Sequence, residues 1–321
     1  MSGFSSYPNG FGSNLLIREI PIHTAFPGKV FWLYNGTVLG DSRRSGSDGN
    51  KGTFNSPFAT LAYAISQCTA GRGDIIMVKP GHAETISDAT TVAANIAGVA
   101  VVGLGAGISR PTFTFSTANT VTIPVSAANV AFVNCRFVAN FLSIAAPFTL
   151  STAKGFTLQA CDFADTSGVL NFLNIVKSTG AANTIDGISL IDNTWNGLGT
   201  TSVNTFLLSA NDIDSATLRR NRIKLARTAD AAILAVITAG VLTNFEAGDN
   251  FAYSAQTTTA NGSLVNVGGS TSTGWVYRNY AQTLTTTSDK LFPTTSGLSA
   301  FENRVSGVVG ATGFVIPASD S

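Results

Sequence analysis

The sequence is short of charge. It has 19 Lys and Arg and 18 Asp and Glu in 321 residues, so charged residues make up 12% of the chain and the formal net charge is +1. Nucleic acids and anionic membranes are bound through a basic face, for which this balance provides no excess charge. We therefore expect neither of them as a partner. A mainly helical fold, which is normally solvated by Glu and Lys, is also disfavoured.

Long apolar runs, cysteine and histidine are scarce as well. The longest apolar stretches, 92–108 and 231–242, are interrupted by Asn and Gly or fall below the roughly 18 residues of a membrane-spanning helix. Residues 1–14 lack the basic and apolar segments of a secretory signal peptide. Three Cys without CxxC spacing and two His do not make a zinc site. We expect a soluble protein without metal or cofactor.

What the sequence does contain is a repeat. From about residue 130 onward, an apolar residue is followed after two variable positions by Asn or Cys, and then after one position by a second apolar residue. The central column spans 168 residues in six intervals, a mean of 28. Its members, which we call the ladder positions, are Cys135, Cys161, Asn193, Asn221, Asn250, Asn279 and Asn303.

This period predicts a fold. The segments between the ladder positions are rich in Thr, Val, Phe and Ile and are punctuated by Gly, Asn and Asp, which indicates strands and turns. One coil of a right-handed parallel β-helix has three short strands and about this length. Coils stack ~4.8 Å apart, so equivalent residues form columns along the axis. We predict an all-β right-handed parallel β-helix, in which the ladder Asn residues occupy left-handed turns and hydrogen-bond between coils.

The segment 46–88 does not follow the repeat. A turn-forming sequence, residues 46–52, precedes Pro57 and predicts a capping helix from Pro57 to about Cys68, with Asn55 or Ser56 as its N-cap. Such a helix would cover the open end of the first coil. The predicted organisation is an N-terminal arm over 1–30, a single β-helix domain over 31–305 and a C-terminal tail over 306–321.

Several short motifs resemble a known superfamily. Residues 57–60 (PFAT), 64–65 (AI), 73–76 (GDII) and 80–84 (PGHAE) are similar to the first segment of pectate-lyase-like right-handed parallel β-helix proteins, although His82-Ala83 departs from the usual Tyr position. Residues 26–32 (FPGKVFW) and those after them resemble virion-associated β-helix proteins of tailed phages, of the head-decoration or tailspike type. The resemblance implies a fold more specifically than an activity.

Enzymes of this superfamily use clustered carboxylates, either with Ca²⁺ and a basic residue or as a hydrolytic pair. Arg222-Ile223-Lys224 is similar to the Arg-Ile-Lys element of polygalacturonases, but their adjacent Asp pair and Gly-His-Gly element are missing. Ile223 falls in an inward apolar column, so we interpret its two basic neighbours as outward residues. We predict no catalytic residue; the weaker candidates are Asp186, Asp192, Asp212, Asp214, Arg222 and Lys224.

Other polar and aromatic residues have structural explanations. Asp41, Asp48 and Asn50 do not have the spacing of a calcium-binding loop and are interpreted as turn residues. His82 is expected to be a cap or turn residue. Trp32, Trp195 and Trp275 could form a sugar-stacking platform, but Trp195 falls in the inward column and is assigned to the core.

The terminal segments favour a structural role. An apolar strip in the predicted arm, with Leu15, Leu16, Ile17, Ile20, Ile22 and Phe26, is typical of segments that pair with another protein, and residues 310–317 are similar. With the resemblance, it predicts a homotrimeric virion protein, assembled in the host cytoplasm and bound to the major capsid protein or another virion protein. The alternative is a tailspike or related β-helix that binds or cleaves a host surface glycan.

The thiols are expected to be free. Cys135 and Cys161 should stack on consecutive coils with parallel Cα–Cβ directions, which suit a disulfide torsion poorly. Assembly in the cytoplasm would also provide no oxidising environment.

Overall fold

The protein is a right-handed parallel β-helix, which confirms the predicted all-β fold. The computed structural model describes residues 15–17, 20–22, 28–36, 45–200, 204–257, 264–268, 271–284, 297–306 and 314–315. Successive coils add strands in turn to three long sheets, which we call the first, second and third sheets. Among the described residues, no helix is long and apolar enough to cross a membrane.

The strands are short and nearly all parallel. The first sheet consists of Val30–Leu33, Ile75–Val78, Ala100–Gly103, Ala131–Val133, Thr157–Gln159, Ser189–Ile191, Thr217–Arg219, Phe245–Gly248, Gly274–Tyr277 and Ser299–Phe301. The second consists of Ala83–Ile86, Thr112–Phe115, Arg136–Ala139, Asp162–Asp165, Thr194–Gly197, Arg222–Leu225, Phe251–Ser254, Tyr280–Gln282 and Arg304–Ser306, followed by the antiparallel Phe314–Val315. The third consists of Ile123–Val125, Phe148–Leu150, Asn174–Ser178, Thr205–Ser209, Ala235–Ile237 and Val265–Val267.

Two strand pairs and two short helices lie outside these sheets. Ile213–Asp214 pairs in parallel with Leu242–Thr243, and Leu15–Ile17 pairs antiparallel with Ile20–Ile22. A single turn of 3₁₀ helix covers Gly107–Ser109. The α-helix, α1, covers Leu61–Ser66.

Inward and outward side chains alternate along the strands, and the inward ones build the core. The second apolar residue of each repeat points inward from the second sheet, where Phe113, Phe137 and Phe163 stack in register with ring centroids 5.7 and 5.3 Å apart. Trp195 and Ile223 continue this column and are also buried. The first apolar residue of each repeat forms the equivalent column in the first sheet. The repeat is therefore the sequence of the corner between the two sheets.

The left-handed turn lies one residue before the position predicted for it. The residues preceding the ladder positions, and not the ladder residues themselves, have φ between 48° and 58°: Asn134, Ala160, Asp192, Arg220, Asp249, Arg278 and Glu302. Because the chain turns at the residue before the ladder position, the ladder side chain is directed into the corner of the coil. The prediction that the Asn residues themselves adopt this conformation was wrong.

The capping helix begins later than Pro57. Phe58 continues the strand geometry, since its N–H donates to the Trp32 carbonyl and its own carbonyl accepts from Tyr34. Thr60 is the N-cap, with its Oγ1 accepting from the Tyr63 N–H at 3.3 Å. Phe58 thus pairs with the first strand, and the Pro57 carbonyl accepts from the Ser47 N–H, so neither residue bonds within a helix.

Both predicted domain boundaries cross strands. Val30 begins the first strand, and the Lys29 N–H donates to Asp74 Oδ1 at 2.7 Å, so the coil starts inside the predicted arm. At the other end, Arg304 and Val305 pair with Val315 and Phe314, which places part of the predicted tail on the last strand of the second sheet. Most other residues of the two terminal segments lie outside the described ones.

Candidate functional site

The ladder positions lie in one buried column. Asn193 Nδ2 donates to the Leu158 carbonyl of the preceding coil at 3.0 Å, and its Oδ1 accepts from the Cys161 N–H at 3.0 Å. The same pair of contacts to the preceding coil recurs at Asn221, Asn250, Asn279 and Asn303. These amides satisfy backbone groups at a corner where no strand can do so.

His82 belongs to the cap. Its Nδ1 accepts the Asn35 N–H at 3.1 Å, so Nε2 carries the proton and donates to Glu84 Oε2 at 3.1 Å. The Glu84 carboxylate also accepts from the Leu61 N–H at the start of α1, at 3.0 Å. This buried group thus connects the capping helix to the first coil.

Asp48 also has a structural role. Its Oδ1 accepts the N–H groups of Ala59 and Thr60 at 2.9 and 3.0 Å, and its Oδ2 accepts from Thr60 Oγ1. Asn50 Nδ2 donates to the carbonyls of Ser45 and Pro57, and Asp41 lies outside the described residues. Within the described part of the chain, no group of three or more His, Cys, Asp or Glu side chains could hold a metal ion.

The four Asp candidates do not form one site. Asp192 follows a first-sheet strand and makes a bidentate ion pair with Arg220 at 2.7 and 2.8 Å. The other three lie before first-sheet strands, at the opposite corner of the coil. There, Asp186 contacts Lys154 Nζ, Asp212 accepts from the Val241 N–H, and Asp214 accepts from Asn244 Nδ2.

The basic and aromatic candidates are also separated. Arg222 and Lys224 are exposed on the second sheet on either side of buried Ile223, and the Arg222 guanidinium lies 5.6 Å from the Phe251 ring centre. Trp195 is 1% exposed, so it belongs to the core, whereas Trp275 is 59% exposed. Trp32 packs edge-on against Phe54, far along the chain from both. The three tryptophans therefore do not make one platform.

The three thiols are free and buried. Burial raises the pKa of Cys68 and of Cys161 to about 12, and it also raises the pKa of Cys135. The thiolate is the reactive form, so these side chains are protected from oxidation and metal binding at neutral pH.

The predicted attachment residues of the arm are described only in part. Leu15–Ile17 and Ile20–Ile22 form the antiparallel pair, and Phe26 is outside the described residues. Their contact with another protein stays a prediction.

A charge-poor face runs along the third sheet. Its strands present one outward column in register, and the residue after each strand adds a second column. Of these twelve described positions, Lys177 is the only charged one. The charge-poor face consists of Pro124, Thr149, Lys177, Leu208, Val236 and Asn266 with Ser126, Ser151, Thr179, Ala210, Thr238 and Gly268. The equivalent outward column of the second sheet includes Arg136, Asp162, Arg222 and Arg304.

The low charge of the chain is visible in the sequence, but the position of this face is not. Its signal is an outward residue between two buried neighbours, as in Ala235-Val236-Ile237, which five of the six third-sheet strands contain. No ladder residue aligns the third-sheet strands in the sequence, and the connections before these strands vary in length. The column can therefore be recognised only from the strand register.

No protein-family model matches the chain, and no curated protein matches it in sequence. Among solved structures, a rhamnogalacturonan lyase is similar over 79% of this chain and 68% of its own, with 15% identity and a TM-score of 0.40. A pectate lyase is similar over 88% of this chain and 77% of its own, with 12% identity and a TM-score of 0.40. Identities this low carry no residue roles to the present chain. The class that the fold itself defines is the parallel β-helix.

Proposed function

We propose that this chain is a non-enzymatic structural protein of a phage virion, which forms a homotrimer and decorates the head. The observation that carries the proposal is the charge-poor face of the third sheet. The phage setting is supported by the resemblance of residues 26–32 to virion-associated β-helix proteins, and a structural role is favoured by the ion pairs and hydrogen bonds that already engage the four Asp candidates.

The charge-poor face suits association between copies. Burying a charge at an interface requires a partner to offset its desolvation, and this face contains only one charge, at Lys177. Six stacked strands make it about 24 Å long at the usual strand spacing. Because the column runs along the coil axis, three parallel copies around a three-fold axis would each bury the same face.

We assign binding of the capsid partner to the N-terminal arm. Leu15–Ile17 and Ile20–Ile22 form an antiparallel pair that belongs to none of the three sheets. Apolar strands that belong to none of the three sheets can add to a sheet edge of the major capsid protein or of another virion protein. In this arrangement the coils supply a rigid prism and the arm supplies the attachment.

Size-exclusion chromatography with light scattering tests the trimer. Val236→Asp places a charge on the charge-poor face and is expected to yield a monomer. Val138→Asp is the matched control, because Val138 is a similarly half-buried outward residue on the second sheet; this variant should remain trimeric. A monomeric wild-type protein, or equal effects of both substitutions, would refute the proposed interface.

Attachment is tested separately on virions. Deletion of residues 1–27 leaves the first strand and the Lys29 contact intact, so the coils should fold while binding to the capsid is lost. Cryo-electron microscopy of purified virions would show the position of the protein. Polysaccharide cleavage that is abolished by Asp212→Asn or Asp214→Asn would instead establish the tailspike-enzyme alternative.

A further inference from the structure

An exposed aromatic groove lies on the last strands of the first sheet. It has a volume of about 800 Å³ and is bordered by Trp275, Tyr277 and Phe301, with Phe245 and Glu246 from the preceding coil. Trp275 is 59% exposed and Phe301 is 43% exposed. Large aromatic side chains left in solvent together are unusual on a chain that buries most of its other aromatic residues.

The three rings form a structured surface. Tyr277 and Phe301 occupy successive positions of one outward column and stack with centroids 5.2 Å apart and planes 8° apart. Trp275 meets Phe301 edge-on at 6.1 Å. The groove is therefore bordered by a stacked pair of rings and by an indole that meets the pair edge-on.

Two glycines make room for this arrangement. A Cβ on Gly248 would lie 2.4 Å from the Tyr277 ring, so the missing side chain lets that ring lie across the preceding coil. Gly274 has φ of 145°, and a Cβ there would lie 2.2 Å from the Phe245 carbonyl oxygen. The groove thus depends on small residues at two places in its floor.

The charged groups beside the groove are already paired. Glu246 Oε1 accepts from the Tyr277 hydroxyl at 2.5 Å and lies 3.6 Å from Arg219. Arg278 makes a bidentate pair with Asp249 at 2.8 and 3.0 Å and lies 5.0 Å from the Tyr277 ring centre. Two arginines thus face two carboxylates within the protein.

We propose that the aromatic groove binds an uncharged glycan. The C–H faces of pyranose rings pack on exposed aromatic rings, and the Glu246 carboxylate beside them can accept from sugar hydroxyls. An acidic glycan would need cations, but Arg219 and Arg278 are engaged by Glu246 and Asp249. Neutral hexose or N-acetylhexosamine chains are therefore the ligand class, and uronate chains are not. The proposal does not depend on the oligomeric state.

Calorimetric titration of the full chain tests the groove. The probes are neutral hexose and N-acetylhexosamine oligosaccharides together with oligogalacturonates, each at up to millimolar concentration. We expect binding of a neutral probe that Trp275→Ala and Phe301→Ala each weaken at least tenfold. Gly248→Ala should weaken it as well, because the new methyl group displaces the Tyr277 ring.

A matched control is available on another sheet. Phe251 is 39% exposed and stacks on Tyr280 at 5.2 Å, outside the groove. Phe251→Ala should leave binding unchanged, and circular dichroism should be the same for all variants. The proposal is overturned if no neutral probe binds, if oligogalacturonates bind more tightly, or if Phe251→Ala weakens binding as much as Trp275→Ala.

Discussion

Asn193 and Asn221 are linked twice across consecutive coils, because Asn221 Oδ1 accepts both the Asn193 N–H at 3.1 Å and its Nδ2 at 3.0 Å. Asn221 Nδ2 in turn donates to the Leu190 carbonyl at 2.8 Å. Both residues are fully buried. One side chain thus satisfies three polar groups of the preceding coil without access to water.

Asn221→Val should lower the free energy of unfolding by about 1–3 kcal/mol, because the buried donors and acceptor of the neighbouring coils would be left unsatisfied. Urea denaturation measures the change. Asn196→Val, on the exposed outside of the second sheet, is the control and should have little effect. An unchanged midpoint for Asn221→Val would contradict the role of the ladder.

Asp165 predicts a dependence of stability on pH. Burial raises its carboxyl pKa to about 6, although the carboxylate accepts from the Phe172 and Leu198 N–H groups at 3.0 and 2.7 Å. Between pH 4 and 6 the unfolded chain releases this proton while the folded chain retains it. The stabilisation by the protonated Asp165 carboxyl is therefore complete at low pH, and the free energy of unfolding falls by about 3 kcal/mol as the pH rises to 6.

The test is a series of urea denaturations from pH 4 to 8 with wild type and Asp165→Asn. The variant has no carboxyl group to titrate at this position. The stability of the wild type relative to that of the variant should therefore fall as the pH rises from 4 to 6. A constant difference over this range would refute the assignment to Asp165.

Asp48 is expected to stabilise the cap. Asp48→Ala removes the acceptor for the Ala59 and Thr60 N–H groups and should cost about 1–2 kcal/mol of stability. Asp88→Ala is a suitable control, since Asp88 contacts Thr90 in an exposed turn. If the two variants had the same unfolding midpoint, the capping role of Asp48 would be disproved.

The thiols supply a chemical test. Titration of the denatured, unreduced protein with a thiol reagent should count three free groups. In the folded protein the same groups should react far more slowly, because burial keeps Cys68 and Cys161 protonated at neutral pH. A count of one in the denatured protein would show that a disulfide forms.

The coil could be predicted because the same corner recurs in the sequence. Phe132 and Phe137 on either side of Cys135, like Leu190 and Trp195 around Asn193, are equivalent positions of stacked strands. Each corner needs a side chain that either satisfies backbone groups, as Asn does, or is small enough to be buried there, as Cys is. The capping helix was also found from its sequence, but its start was not, because Phe58 forms hydrogen bonds with Trp32 and Tyr34, which lie more than twenty residues away.

By itself, the sequence determined the architecture of this protein: apolar columns, ladder Asn residues and coil length are properties of each repeat and need no knowledge of its neighbours. The tertiary structure decided which surfaces the coils create. Val236 joins Leu208 on the charge-poor face, and Tyr277 reaches Glu246 over Gly248, through the register between coils. Residues about thirty positions apart become neighbours there, and the variable connections hide that adjacency from the linear pattern.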